Sequence, residues 1–223
     1  MRTKTKRNSL LEIGVSTLML PGQTRSGDQH VVLSPPTGVV VAVIDGLGFG
    51  EEATAAASIA STTLMDFARE PIIPLVLRCH SNLRSTPGVV MSIACFDVLT
   101  NTLTWLSVGT VEGVLVHATQ SSPPSFKFLS RQGGILGSFL PKLRASSVSV
   151  QRGALLIFAT DGVRGNFLET VDLSESSQRI ADQILAGYAK GSALVLVARY
   201  LGPSPRKRSM LSSTRAGDFP CHH

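Results

Sequence analysis

The stretch GVVVAVIDGLGFGEE, residues 38–52, indicates both a fold and a site. Its first part, 39–44, is an unbroken run of valine, alanine and isoleucine, which is typical of a short strand buried on both faces. The run ends at Asp45, and three glycines alternate through 46–50 before helix-forming residues begin. A carboxylate at the end of a buried strand is costly unless something pairs with it, and glycines let backbone and ligand approach closely. The stretch therefore predicts a site for a hard metal ion or a phosphate.

The same pattern recurs downstream, where the apolar run 154–159 ends in Thr160-Asp161-Gly162. A second buried strand thus also delivers an Asp-Gly pair. A further acid, Asp28, stands just before the apolar residues 31–33 and so at the mouth of another strand. Two strands that end in the same way predict carboxylates that converge on one site.

Length and composition predict one globular domain with a sizeable core, because the chain has 223 residues, 43% of them hydrophobic and 16% charged. No apolar run approaches the roughly 18 residues of a membrane span. No small-residue cleavage site follows the moderately apolar 10–20, so no signal peptide is expected. The three cysteines form no CxxC pair, which favours a reducing cytoplasm and argues against structural zinc.

The net charge of +6 is concentrated at the two ends of the chain, in 1–8 and 203–223. The part between is close to neutral and lacks the basic footprint of a nucleic-acid-binding domain. We therefore expect a basic N-terminal extension at 1–9, a single domain at 10–202 and a basic, disordered tail at 203–223. Neither a nucleic acid nor a membrane is expected as a partner.

The hydrophobic patterns predict an α+β architecture, most simply two packed sheets flanked by helices. Helices are expected over 50–69, 72–82 and 174–189. Strands are expected at 10–20, 31–33, 39–44, 89–97, 102–108, 113–118, 126–129, 147–150, 154–159 and 192–200. The three strands between 89 and 118 are expected to form an antiparallel meander, and those at 147–150 and 154–159 to form a hairpin.

An ordered set of short motifs resembles the metal-dependent protein phosphatases of the protein phosphatase 2C type. The motifs are SGD at 26–28, VAVIDGLGFG at 41–50, PGVVMSIACFD at 87–97, WLSVGTVEGVLV at 105–116 and LLIFATDGV at 155–163. The resemblance covers about residues 10–201. In its short DGLG-x-G motif and in lacking sensory domains, the chain is most similar to the stand-alone phosphatases of bacterial stressosomes.

The resemblance implies a four-layer αββα sandwich with a dinuclear Mn²⁺ or Mg²⁺ site at one edge. By motif, Asp45 corresponds to the bridging aspartate and Gly46 to the glycine whose carbonyl binds one metal. Asp161 corresponds to a ligand of the second metal, and Asp28 to the acid that holds a metal-associated water. Asp28, Asp45 and Asp161 are therefore the candidate catalytic residues, and Arg25 is a candidate contact for the substrate phosphate.

The implied function is hydrolysis of phosphoserine or phosphothreonine, with phosphorylated STAS-domain proteins of a stressosome as substrates. One departure from the family concerns the second metal. The family places an acid immediately before the last strand, whereas Lys190-Gly191-Ser192-Ala193 contains none. The second metal is therefore expected to be held weakly.

Several alternatives stay open at this point. The chain could be an anti-sigma-factor-antagonist phosphatase of the sporulation type, or a non-enzymatic binding module with the phosphatase fold. Asp45 could simply cap the following helix, Asp28 could be an ordinary turn residue, and Arg25 could be a solvated loop arginine. A dinucleotide-binding fold is disfavoured, because glycines at 46, 48 and 50 do not match G-x-G-x-x-G.

Overall fold

The computed structural model of the chain describes residues 6–7, 10–20, 25–119 and 122–203. In chain order its elements are β1 (Lys6–Arg7), β2 (Leu11–Leu18), β3 (Asp28–Leu33), β4 (Gly38–Gly46), α1 (Glu51–Asp66), α2 (Ile72–Asn82), β5 (Val89–Asp97), β6 (Thr102–Val108), β7 (Glu112–Thr119), β8 (Ser122–Phe128), β9 (Ser146–Ser149), β10 (Leu155–Ala159), a 3₁₀ helix (Phe167–Thr170), α3 (Ser177–Tyr188) and β11 (Ala193–Tyr200). No helix within these ranges has the length and hydropathy needed to cross a bilayer.

The strands form two antiparallel sheets. The first sheet has the order β3-β4-β5-β6-β9, and the second has the order β1-β2-β11-β10-β7-β8. Helices α1 and α2 cover the outer face of the first sheet. Helix α3 and the 3₁₀ helix cover the outer face of the second, and a shared apolar core fills the space between the sheets. The predicted α+β sandwich with four αββα layers is confirmed.

Strand β4 is buried on both faces, as its apolar run predicts. Its odd-numbered valines at 39–43 face the second sheet, whereas its even-numbered residues at 40–44 face α1 and α2. Asp45 continues the odd-numbered series, since side chains alternate along a strand. The backbone thus delivers its carboxylate to the edge of the space between the two sheets.

The helices are fixed by local signals and by close packing. Helix α1 packs through buried alanines at 56, 57 and 60, and its first turn carries Glu51 and Glu52, which suit the positive end of the helix dipole. At the start of α3, the Ser176 hydroxyl accepts a bond from the Arg179 amide. The buried Glu12 carboxylate of β2 accepts another from the Ser177 amide at 2.8 Å, which ties α3 to its sheet.

The predicted hairpin of 147–150 and 154–159 is wrong, because β9 and β10 lie in different sheets. Strand β9 pairs with β6, and β10 pairs with β7 and β11. The short segment between them crosses from one sheet to the other, and both Val150 and Ala154 are buried in the core that the sheets share. A tight turn at 151–154 suits a hairpin or a crossing equally well, so local sequence could not separate them.

The predicted meander is correct only for its first two strands. Strands β5 and β6 pair as expected, but β7 joins β10 in the second sheet. Gly109, with φ +93°, lies at this crossing, where an added Cβ would meet Val90 at 2.2 Å. The missing side chain therefore lets the chain turn closely against β5 before it crosses to the second sheet.

Most predicted elements shift only at their ends. The first strand occupies Leu11–Leu18, and α3 begins at Ser177 instead of residue 174. The short strand expected at 126–129 begins at Ser122. Within the expected N-terminal extension, Lys6–Arg7 pairs with β2. Residues 204–223 of the expected tail lie outside the described residues. The division of the chain into extension, domain and tail stays a prediction.

Candidate metal centre

Four strand ends meet at one edge of the sandwich. Asp28 opens β3 and Asp45 lies next to the end of β4, while Asp161 follows β10 and Ser192 precedes β11. Within each sheet these strands are antiparallel neighbours, so the start of one lies beside the end of the other. All four residues line one cavity of about 220 Å³. The structure thus brings together the three acids that the sequence singles out.

Asp28 and Asp45 are direct cross-strand partners in the β3–β4 ladder. Like charges in this position repel one another, and Asp28 is only 8% exposed. Burial, and then repulsion from Asp28 and Asp161, raise the pKa of Asp45 to about 7. Burial is also the main cause that raises the pKa of Asp28 to about 6, with repulsion from Asp161 adding to it. Both carboxylates are poorly compensated by the protein itself.

Asp161 approaches the pair from the second sheet and is exposed to solvent. Its charge contributes to the raised pKa of both Asp28 and Asp45, so the three acids form one electrostatic group. The group spans the two sheets, because β3 and β4 belong to the first and β10 to the second. The cavity therefore lies at the junction of the two sheets.

Each Asp-Gly pair has a steric reason for its glycine. A Cβ at Gly46 would lie 2.0 Å from the Ala53 carbonyl oxygen of α1, and a Cβ at Gly162 would lie 1.9 Å from that of Ser192. Such distances are impossible without moving backbone. In both turns the missing side chain lets the neighbouring segment close against the strand end, and this contact sets the walls of the cavity.

Ser192 occupies the wall of the cavity at which the resemblance predicts an acid. Its hydroxyl donates to Asp28 Oδ2 at 3.1 Å, and this bond partly opposes the rise in the pKa of Asp28. The buried Thr160 hydroxyl accepts from the Leu194 amide at 2.9 Å and also supports Asp28. Lys190 is exposed and is not among the residues that line the cavity. The segment thus contributes a neutral donor in place of a carboxylate.

The donor set fits a hard divalent cation held by few protein ligands. Carboxylate and backbone carbonyl oxygens are the groups that Mg²⁺ and Mn²⁺ prefer, and Mg²⁺ commonly keeps several waters and takes one or two carboxylates. Within the described ranges, no three His, Cys, Asp or Glu side chains converge closely enough to hold one ion among them. The acids share a cavity without forming a three-ligand shell, so water would have to complete the coordination.

The residues that line or support the cavity differ in how readily the sequence reveals them. Arg25, predicted as a phosphate contact, lines the cavity and is exposed. Ser192 could have been found from its place before the last strand, and Thr160 from its place before Asp161. Leu20 and Phe49 also line the cavity, and no pattern in the sequence marks them, since exposure of a single apolar residue is a tertiary property.

The sequence is similar to a known protein family and to a bacterial phosphatase. Residues 35–198 match the family model described as stage II sporulation protein E (SpoIIE), a range that includes Asp45, Asp161 and Ser192 but not Asp28. The phosphoserine phosphatase RsbX of Bacillus subtilis (strain 168) is 25% identical over 160 residues, which cover 72% of this chain and 78% of RsbX.

Two solved structures share the fold. One is a chain from a structure that is described with the bacterial stressosome, a modular system that has been adapted to control secondary messenger signalling. It superposes with a TM-score of 0.76 at 25% identity, covering 85% of this chain and 99% of its own. The crystal structure of RsbX in complex with magnesium gives a TM-score of 0.77 at 19% identity, covering 88% and 98%.

Proposed function

This chain belongs to the SpoIIE family of protein phosphatase 2C-type domains, and from that premise we propose that it hydrolyses phosphoserine or phosphothreonine in proteins with Mg²⁺ or Mn²⁺. The observation that carries the proposal is the cross-strand Asp28–Asp45 pair, joined by Asp161 in one cavity. A buried and a partly buried acid that repel one another, with a third acid beside them, are unfavourable unless cations offset their charge. RsbX, a relative with the same fold, has been crystallised with magnesium.

Each residue has a role that follows from its place in the cavity. Asp45, Asp161 and the Gly46 carbonyl would hold the cations, which supply the positive charge that polarises the phosphate and lowers the pKa of nearby water. Asp28 would hold and orient the attacking water, steadied by its hydrogen bond from Ser192. Arg25 would orient the phosphate, since a guanidinium matches phosphate oxygens. The chain itself then needs no covalent nucleophile.

The partners we propose are phosphorylated STAS-domain proteins of a stressosome-type complex. The support is the likeness to RsbX and to a solved chain described with the bacterial stressosome. We place the reaction in the cytoplasm, where the free Cys79 and Cys95 would stay reduced.

The test is hydrolysis of a phosphorylated STAS-domain protein with Mn²⁺, comparing the wild type with Asp45→Ala and Asp161→Ala. We expect each variant to lose at least about a hundredfold in kcat, because loss of a metal-holding carboxylate removes most of the electrostatic stabilisation. Asp66→Ala, which removes an exposed acid at the end of α1, is the matched control and should keep the wild-type rate. Unchanged activity in either cavity variant would defeat the proposal.

The match to the SpoIIE family model favours a second candidate, a phosphatase of the sporulation type that acts on an anti-sigma-factor antagonist. Rates on the two phosphoprotein classes, measured side by side, separate the candidates.

The missing acid at 190–193 favours a third candidate, a binding module without activity. Calorimetry with Mn²⁺ decides that case, since an absence of heat at millimolar metal would leave only a scaffold role.

A further inference from the structure

The side chain of Phe49 stands almost entirely in water at the mouth of the acid-lined cavity. It is 93% exposed and lies in the turn between β4 and α1, four residues after Asp45. The neighbouring Gly50 also faces open space, because a Cβ added there would meet no atom within 4 Å. Phe49 is also a wall residue of the cavity, so it belongs to the entrance.

Nothing in the fold requires a phenylalanine at this position. The two turn glycines, Gly48 with φ +101° and Gly50 with φ +56°, provide the backbone geometry. A phenylalanine left in water contributes no burial to folding. Its apolar surface is therefore available to another molecule.

A second apolar side chain lies on the same entrance. Leu20, just after β2, is 47% exposed and also lines the cavity. We call Leu20 and Phe49 the apolar collar. Its apolar character continues along the chain into Met19 and Leu18, which are 45% and 43% exposed. Apolar side chains clustered beside a polar cavity are typical of a recognition surface.

From this arrangement we infer that the apolar collar receives an apolar side chain next to the phosphorylated residue of a protein substrate. The inference rests on the proposed function and adds which residues around the phosphate are recognised. The two parts of the entrance require different groups of the same ligand. Arg25 and cations on the acids would take the phosphate, while Leu20 and Phe49 take an apolar group.

A phosphorylated peptide segment satisfies both parts, because it carries the phosphate and an apolar neighbour on one chain. Free phosphate or a small phosphate ester could fill the cavity but would leave the apolar collar in water. In an extended segment the neighbours of a phosphoserine lie about 3.5 Å along the chain from it, within reach of a cavity rim. The collar thus selects a phosphoserine or phosphothreonine that has leucine-like neighbours.

The experiment uses two synthetic phosphoserine peptides that differ only in carrying leucine or serine on both sides of the phosphoserine. We expect wild-type protein with Mn²⁺ to favour the leucine peptide by about tenfold in kcat/KM. In Phe49→Ala the preference should fall to within about threefold, and Phe49→Leu should restore most of it. Leu99→Ala is the control, since Leu99 is 79% exposed in the β5–β6 turn at the opposite end of the sheet from Asp45.

The outcomes separate this inference from the proposed function. If the wild type hydrolyses both peptides equally and Phe49→Ala leaves the ratio unchanged, the apolar collar has no role in recognition although the phosphatase assignment stands. If neither peptide nor para-nitrophenyl phosphate is hydrolysed, the phosphatase assignment itself fails. Sedimentation gives a further check: a wild-type dimer that Phe49→Ala dissociates would assign the collar to a second copy of the chain and overturn the inference.

Discussion

Asp45 shows how a residue can be unfavourable for the fold and suited to a site at the same time. It lies opposite Asp28 in the ladder, and its pKa is raised to about 7 by burial and by the two neighbouring acids. An acid with a raised native pKa binds more protons in the folded than in the unfolded chain between about pH 4 and pH 7. The metal-free protein therefore loses stability as the pH rises through that window.

The residue-scale prediction is that Asp45→Asn stabilises the metal-free protein at pH 8 by about 1–2 kcal/mol, because the amide carries no charge to desolvate. Near pH 4 the variant and the wild type should unfold alike, since Asp45 is protonated there in the folded state. Urea unfolding with a chelator at both pH values measures the difference. The exposed Asp66→Asn should show little change at either pH, and a destabilised Asp45→Asn at pH 8 would contradict the electrostatic account.

Ser192 stands where the resemblance predicts an acid, and its side chain still contacts the site. In place of a carboxylate the chain presents a hydroxyl that donates to Asp28 at 3.1 Å. A donor lowers the repulsion within the cavity, whereas a fourth acid would add to it and would add a metal ligand. We therefore expect a metal-free protein that is better compensated and a second metal that is held more weakly.

At the scale of elements, close backbone approaches position the helices on the sheets. Gly14 in β2 lies against the start of α3, where an added Cβ would be 2.2 Å from the Ser177 carbonyl carbon. The same contact brings the Glu12 carboxylate to the Ser177 amide at 2.8 Å. The strand and the helix can form both contacts only because position 14 has no side chain.

The element-scale prediction compares two glycine-to-alanine changes. Gly14→Ala should destabilise the protein by about 2–3 kcal/mol, because backbone has to move apart. Gly187→Ala, in α3 with nothing within 4 Å of an added Cβ, should stabilise it by about 0.5–1 kcal/mol through helix propensity. Equilibrium urea unfolding measures both, and equal effects of one sign would rule out the proposed contact between β2 and α3.

At the scale of the whole molecule, the two sheets are joined differently at their two ends. At the end away from the cavity, Tyr200 of the second sheet stacks on Phe96 of the first, with ring centroids 5.6 Å apart. Its hydroxyl donates to Asn101 Oδ1 at 2.7 Å. At the cavity end the sheets meet through acids that repel one another. The first junction is held by contacts within the protein, and we expect bound cations to stabilise the second.

The whole-molecule prediction follows from this difference. Tyr200→Phe should cost about 1–2 kcal/mol, because Asn101 loses its donor, and the loss should be the same with chelator and with Mn²⁺. Thermal and urea unfolding under both conditions measure it, with Tyr188→Phe on the partly exposed side of α3 as the control. A cost that changes with Mn²⁺ would show that the two ends of the sandwich are coupled.

Much of the site could be predicted because its signals are local. The end of an apolar strand, an acid and a glycine are adjacent in sequence at 45–46 and again at 161–162, and alternation along β4 directs Asp45 toward the second sheet. The two sheet crossings, near Gly109 and at 151–153, were missed because a tight turn fits either a hairpin or a crossing. Which one forms depends on partners far away in sequence.

The sequence by itself determined that strands end in acids and that the architecture is two sheets with flanking helices, because strand period, turn residues and burial are written in short stretches. Only the tertiary structure decided which sheet each strand joins, that Asp28 lies directly opposite Asp45, that Ser192 supports Asp28, and that Phe49 is left in water at the entrance. The physical reason is that pairing and exposure are set by surfaces that meet only after folding, as Ser192 and Asp28 do although they lie 164 positions apart.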